Sequence, residues 1–244
     1  MSLLAIESSM NASPVLDSIA KGEFVILGDL ASNSADFAIA CEEAEASAVL
    51  LHLNEDGAQG SRFGGLEIEQ DSLKECLSVV KIPVGISIGD SRPLVPEEWE
   101  LCVGLGFSFV IMLAHHMPTF VWKDERLARI VSIGPGYILE QVKTISDFKE
   151  VSAVVASLTP SQGQGLPLNL FDVATLRLIT SLSRKPVLYP TQRKIRPEDI
   201  PILDGEGCHG LLVSASIYGQ TKDEFRENLI RFKSLCSKII ANQI

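Results

Sequence analysis

Residues 185–219 read KPVLYPTQRKIRPEDIPILDGEGCHGLLVSASIYG and carry the clearest fold signal in the chain. The apolar run at 186–189 predicts a buried strand, and the segment 196–200 (RPEDI) predicts the start of a short helix. A second apolar run, at 210–215, predicts another buried strand that ends in small hydroxyl residues. Together these features indicate a β-loop-α-β unit of a parallel sheet.

The same alternation of apolar runs and helical patterns extends to the rest of the chain. Further buried strands are predicted at 24–30, 48–54, 82–89, 107–114, 128–134 and 151–158. Helices are predicted at 13–21, 34–46, 96–104, 119–127, 136–148 and 169–183, and from 221 onward. Ser72 and Glu75 match a capping box and predict that another helix starts there. For the fifth strand, a rival placement at 137–141 would leave too few residues for the next crossover helix.

Eight buried strands that alternate with helices predict an α/β fold, a single (β/α)8 TIM barrel preceded by a short N-terminal helix. The length of 244 residues fits one such domain, spanning 1–244, because these barrels take about 250 residues. An open doubly wound sheet is the rival, but no G-x-G-x-x-G follows the first strand.

Residues 185–188, 196–200 and 210–219 resemble the last quarter of the phosphate-binding (β/α)8 barrels. That group includes N-acylmannosamine-phosphate epimerases, tryptophan synthase α chains and histidine-biosynthesis isomerases, in which the turns after strands seven and eight hold a phosphate. The resemblance implies an anion-binding site at Thr191, Ser214, Ala215 and Ser216. The glycines of the family turns are replaced, and Arg193 and Lys194 stand in the first turn. They either supply cationic donors or are solvated loop charges.

Active sites of these barrels lie where the strands end, and three of the four histidines fall there. Asp29 and His52 end neighbouring strands and are predicted to form an acid/base pair. The alternative role for Asp29 is a turn former or helix cap. Of the two histidines after strand four, His115 is the predicted catalytic residue, because successive side chains point to opposite sides.

The segment 55–70 is long for a loop between a strand and a helix, and it contains four glycines around Arg62. Long loops in compact domains are often lids or binding loops. We therefore expect either a flap that closes Arg62 over the bound anion or a merely flexible insertion.

Charge and hydropathy exclude several classes of function. The net charge of −10 argues against nucleic acid and anionic membranes as partners. No apolar run reaches the roughly 18 residues of a membrane span, and the start MSLLAIESS lacks the features of a signal peptide, so a cytoplasmic location is expected. The five scattered cysteines are predicted to be reduced, buried thiols.

The reaction is less clearly indicated than the fold. Strands three and six contain no lysine, which disfavours the epimerase reaction and Schiff-base chemistry. A divalent metal held by Asp29, His52, Asp90 and one of the paired histidines stays open, with no metal ligand assigned, and a flavin is disfavoured by the missing glycines.

These features predict an isomerase or lyase acting on a small anionic, phosphorylated metabolite, in a chain that can form homo-oligomers. The alternative is a non-catalytic, degenerate barrel with a ligand-binding or regulatory role.

Overall fold

The computed structural model of the chain describes residues 13–56 and 61–242. Eight parallel strands close into a barrel in which β1 pairs with both β2 and β8. The strands are β1 Val25–Asp29, β2 Ala48–Leu53, β3 Val84–Ile88, β4 Phe109–Leu113, β5 Ala128–Ile133, β6 Val151–Ala156, β7 Val187–Pro190 and β8 Gly210–Ser214. The predicted (β/α)8 barrel is confirmed, and the fifth strand lies at the predicted position rather than at its rival.

Helices surround the barrel in the expected order. They are α1 Pro14–Ala20, α2 Ala35–Glu43, α3 Leu66–Val79, α4 Pro96–Gly104, α5 Thr119–Trp122, α6 Leu139–Asp147, α7 Leu170–Leu182, α8 Ile200–Gly205, α9 Ala215–Tyr218 and α10 Lys222–Asn242. Short 3-10 turns lie at Ser161–Gly163 and Pro197–Asp199, and Glu55–Asp56 pairs with Arg62–Phe63 in an antiparallel hairpin. None of the described helices has the length and hydropathy of a membrane span.

The predicted helix start at Ser72 is wrong, because α3 begins six residues earlier with Gly65 as its N-cap. Leu66 and Leu73 lie on the same buried face of this helix, so the apolar stripe starts before the capping-box pattern. Glu98 also accepts a hydrogen bond from the first N–H of the helix, at 3.2 Å. A side chain distant in sequence therefore stabilises this helix end.

Side chains inside the barrel form layers, since alternate residues of each strand point inward. An interior apolar cluster contains residues such as Leu27, Leu50 and Ile130, and α1 closes its lower end with Val15 and Ile19. Phe109 fills the lower barrel against Gly85, where an added Cβ would lie 2.0 Å from the ring.

Two residues further along each strand, the inward side chains form a mostly polar layer at the C-terminal end of the barrel. Its polar members are Asp29, His52, Ser87, Ser132, Ser157 and Ser214, and Leu113 and Pro190 complete it. All five cysteines lie elsewhere in the structure as buried, unpaired thiols, as predicted.

Candidate functional site

A cavity of about 340 Å³ opens at the C-terminal mouth of the barrel. Its floor is apolar and includes Leu50, Ile111, Val155 and Leu212. The polar part of its lining comprises Asp29, His52, Glu55, Asp56, Ser61, Ser87, Asp90, Ser132, Ser157, Gln164, Thr191, Gln192, Ser214 and Ser216. The mouth is therefore an open pocket with a mixed polar and apolar lining above a packed apolar barrel.

His52 lies at the centre of an acidic cluster on one side of this cavity. Its Nε2 atom is 2.6 Å from Asp29 Oδ1, and its Nδ1 atom is 2.9 Å from Glu55 Oε2. The ring of Phe63 stacks on the imidazole at a centroid distance of 4.5 Å. Ser87 donates its hydroxyl to the same Glu55 oxygen at 3.0 Å. Both ring nitrogens are thus engaged by carboxylates.

The protonation of this cluster follows from its geometry. Burial alone would lower the pKa of His52, but the Glu55 and Asp29 carboxylates outweigh burial and raise that pKa to about 10. Burial likewise acts to raise the pKa of Glu55, yet His52 and the Ser87 hydrogen bond hold it below its usual value. At neutral pH the ring is an imidazolium that donates both N–H groups to carboxylates. The carboxylate oxygens, rather than the ring nitrogens, are therefore the atoms available to a ligand.

The backbone of His52 is held by a side chain from the loop after β1. Asn33 Oδ1 accepts from the His52 N–H at 2.9 Å, and Asn33 Nδ2 donates to the His52 carbonyl at 2.8 Å. Asn33 Nδ2 also donates to Glu69 at 2.9 Å, and Glu69 accepts from the N–H of Gly64 at 3.0 Å. This network connects His52 to the residue that follows Phe63.

A second part of the cavity wall, which adjoins Asp29, is formed by the turns after β6, β7 and β8. Thr191 Oγ1 accepts from the Ser214 N–H at 2.9 Å, and the hydroxyls of Ser214 and Ser216 are 2.8 Å apart. Gln192 donates to the Ser157 hydroxyl at 2.8 Å. Three of the predicted anion-binding residues, Thr191, Ser214 and Ser216, therefore line the cavity, whereas Ala215 is buried beside it.

The two cations of the β7 turn do not line the cavity. Arg193 is only 9% exposed; its Nε lies 2.8 Å from Asp172 Oδ2, and it donates to the carbonyl of Gly163 at 2.8 Å. Lys194 is exposed and donates its backbone N–H to the Leu166 carbonyl at 2.9 Å. The hydrogen bonds to Gly163 and Leu166 attach the β7 turn to the loop after β6. The charge of Arg193 is paired with that of Asp172.

Two other predicted residues also lie outside the cavity lining. The chain turns after Leu113, whose carbonyl accepts from the N–H groups of His116 and Met117, and this turn directs His115 into a separate groove beside Tyr137. The Arg62 side chain is 86% exposed and lies 3.8 Å from Asp56 across the hairpin.

The residues that sequence reasoning missed are Glu55, Asn33, Ser87 and Ser132. Glu55 follows His52 by three residues, yet it lay in a segment predicted as a loop. Among the described residues, no group of three or more His, Cys, Asp or Glu side chains is arranged to hold a metal ion.

The closed barrel and the cavity at its C-terminal mouth define a (β/α)8 barrel with an open mouth. No family model matches the sequence, and no curated protein matches it significantly. Solved structures do share the fold. Tryptophan synthase from M. tuberculosis in its aminoacrylate-bound form has a TM-score of 0.67 at 14% identity, with 91% of this chain and 98% of the other covered.

The tryptophan synthase alpha subunit from the hyperthermophile Pyrococcus furiosus is also similar. One of its mutants has a TM-score of 0.61 at 16% identity, covering 86% of this chain and 98% of the other. The alpha-beta complex from the same organism gives a TM-score of 0.57 at 15% identity, covering 87% and 98%. Likeness at this identity establishes the barrel fold and leaves the reaction to be argued from the site.

Proposed function

We propose that this chain is an isomerase or lyase that moves a proton of a small metabolite bound in the mouth of the barrel. The observation that carries the proposal is the cluster of Asp29, His52 and Glu55, in which an imidazolium is held between two carboxylates at the cavity wall. Proton transfer by a positioned side chain is the step that isomerases and lyases share.

Asp29 is the proposed acid–base residue. It lines the cavity with 19% of its side chain exposed and contacts His52 through Oδ1. In the described part of the chain Oδ2 makes no hydrogen bond, so it is the atom proposed to exchange a proton with substrate. Glu55 engages the other ring nitrogen of His52 at 2.9 Å and so holds the ring in place beside Asp29.

The cavity supports the catalytic role over the alternative of a degenerate, non-catalytic barrel. In a scaffold barrel we would expect side chains to fill the mouth, whereas here about 340 Å³ stays open beside Asp29 and His52. The solved structures that share the fold include subunits of an enzyme, which is further support by analogy.

The substrate predicted from the sequence is a phosphorylated metabolite, and its support in the structure is partial. Thr191, Ser214 and Ser216 offer hydroxyl groups on the cavity wall. The three cations expected to hold the anion, Arg62, Arg193 and Lys194, lie outside the lining. The proposed function therefore rests on proton transfer and does not require a phosphate.

Hydrogen–deuterium exchange tests the proposal without knowledge of the product. The protein is incubated in D2O with a panel of phosphorylated and unphosphorylated sugars, amino sugars, amino alcohols and keto acids, and loss of C–H signals is followed by proton NMR. We expect exchange on at least one class, reduced about 10²- to 10⁴-fold in Asp29→Asn.

Asp36→Asn is the matched control, because Asp36 is an exposed carboxylate on α2 that pairs with Lys222 at 3.3 Å. It should exchange at the wild-type rate. Exchange that persists in Asp29→Asn, or that fails across the whole panel, would contradict the proposal.

A further inference from the structure

The mouth cavity is acidic. Four carboxylates line it, from Asp29, Glu55, Asp56 and Asp90, and its described lining contains no lysine or arginine. The outer two have partners outside the lining, since Arg62 lies 3.8 Å from Asp56 and His116 lies 3.1 Å from Asp90. The inner two share only His52, which leaves one net negative charge when the ring is protonated.

A hydroxyl group without a partner lies across the barrel from this charge. Ser132 on β5 is only 8% exposed and lines the cavity, and its Oγ atom forms no hydrogen bond with any described residue. β5 is four strands away from β1 in the closed order of eight, so Ser132 and Asp29 face each other across the mouth. Because Ser132 lines the cavity, this hydroxyl is available to a polar group of a ligand.

We propose that the mouth binds a small hydroxylated amine, with its ammonium group against Asp29 and Glu55 and a hydroxyl group at Ser132. This inference rests on the proposed function, because it specifies the substrate class of the same site. A phosphate dianion in this cavity would be repelled by the carboxylates and would find no lysine or arginine within the described lining, while both N–H groups of His52 are already taken by Asp29 and Glu55. An ammonium group would be attracted by the net charge and would complete the hydrogen bonding of Asp29.

Three small probes of similar size separate these outcomes: 2-aminoethanol, ethylene glycol and inorganic phosphate. Each is titrated into the 15N- and 13C-labelled full chain at pH 7, and the ring signals of His52 and the backbone signals of Ser132 are followed by NMR. We expect 2-aminoethanol to bind at least tenfold more tightly than either of the others. Asp29→Asn should weaken its binding at least tenfold, and Ser132→Ala should weaken it several-fold.

Ser132→Ala removes no hydrogen bond within the described protein, so its fold should be retained, and Asp36→Asn should bind the amine like wild type. Phosphate binding as tight as or tighter than amine binding, or no shift at the mouth with any probe, would overturn the inference.

The binding test is independent of turnover. Amine binding without deuterium exchange would leave this inference standing and remove the proposed function. Asp29-dependent exchange on a phosphorylated compound alone would support the proposed function and remove this inference.

Discussion

Asn33 pairs with both backbone polar groups of His52, accepting from its N–H at 2.9 Å and donating to its carbonyl at 2.8 Å. At the end of β2, the Asn33 amide thereby makes the backbone hydrogen bonds that a neighbouring strand would otherwise make. The loop after β1, which follows Asp29, thus fixes the position of the ring that Asp29 contacts.

Replacing Asn33 tests this positioning role. In Asn33→Ala we expect the pKa of His52 to fall below its wild-type value of about 10. Without Asn33 the ring is no longer fixed close to Asp29 and Glu55, so both carboxylates stabilise its proton less. Loss of the three side-chain hydrogen bonds of Asn33 should cost about 1.5–4.5 kcal/mol of unfolding free energy. The measurements are NMR titration of the ring and unfolding in urea.

Asn228→Ala is the control for Asn33→Ala. Asn228 lies on α10, and its side chain also donates to backbone carbonyls, those of Tyr218 and Glu224. It should lose stability without changing the pKa of His52. An unchanged His52 pKa in Asn33→Ala would show that Asn33 contributes only to stability.

The stability of the protein should fall as the pH rises from about 6.5 to about 10. The pKa of His52 is raised to about 10 in the folded state from an ordinary value of 6.5. Below pH 6.5 both states are protonated and the contribution is fully present; between the two values only the unfolded chain loses its proton, and the contribution is lost. Each pKa unit is worth about 1.4 kcal/mol, so the decrease should amount to several kcal/mol.

His52→Gln provides the reference for this measurement, because it lacks the titrating ring. The difference in unfolding free energy between wild type and His52→Gln should shrink with rising pH. A difference that stays constant from pH 6 to pH 10 would contradict the pKa assigned to this ring.

Arg193 should contribute to stability rather than to ligand binding. Arg193→Met leaves the carboxylate of Asp172 buried without its partner, and breaking a buried ion pair in this way costs about 3–5 kcal/mol. Lys194→Ala, at an exposed side chain, should change stability by less than about 0.5 kcal/mol. Chemical unfolding measures both, and isothermal titration with phosphate would reveal any anion site that depends on Arg193.

The thiols should resist modification in the folded protein. Burial is the main cause that raises the pKa of all five cysteines: to about 11 for Cys76, to about 12 for Cys102, Cys208 and Cys236, and well above its usual value for Cys41. The thiolate is the reactive form, so a disulfide reagent at pH 8 should react slowly with the native chain and with five thiols after denaturation. Rapid reaction of one thiol in the native protein would contradict this prediction.

The sequence was sufficient to predict the barrel, because strands buried on both faces are continuous apolar runs with recognisable bounds. It also placed Asp29 and His52 at neighbouring strand ends, where the structure brings them into contact. The role of Glu55 was not predictable in the same way, since it depends on a hairpin that folds back over the ring.

Arg193 shows why the rest of the site could not be predicted. Its partner Asp172 lies 21 residues earlier in the chain, at the start of α7. No local pattern distinguishes a charge in such a long-range contact from one that is free to bind a ligand. The direction of His115 likewise depends on a turn that forms after β4.

The hairpin that supplies Glu55 and Phe63 adds no strand to the barrel, which closes without it. The barrel and the residue that holds the His52 ring in place are therefore encoded in separate segments. Exchange of this short insert would be an economical evolutionary route to a new reaction, because it would alter the surroundings of His52 while every barrel strand kept its neighbours.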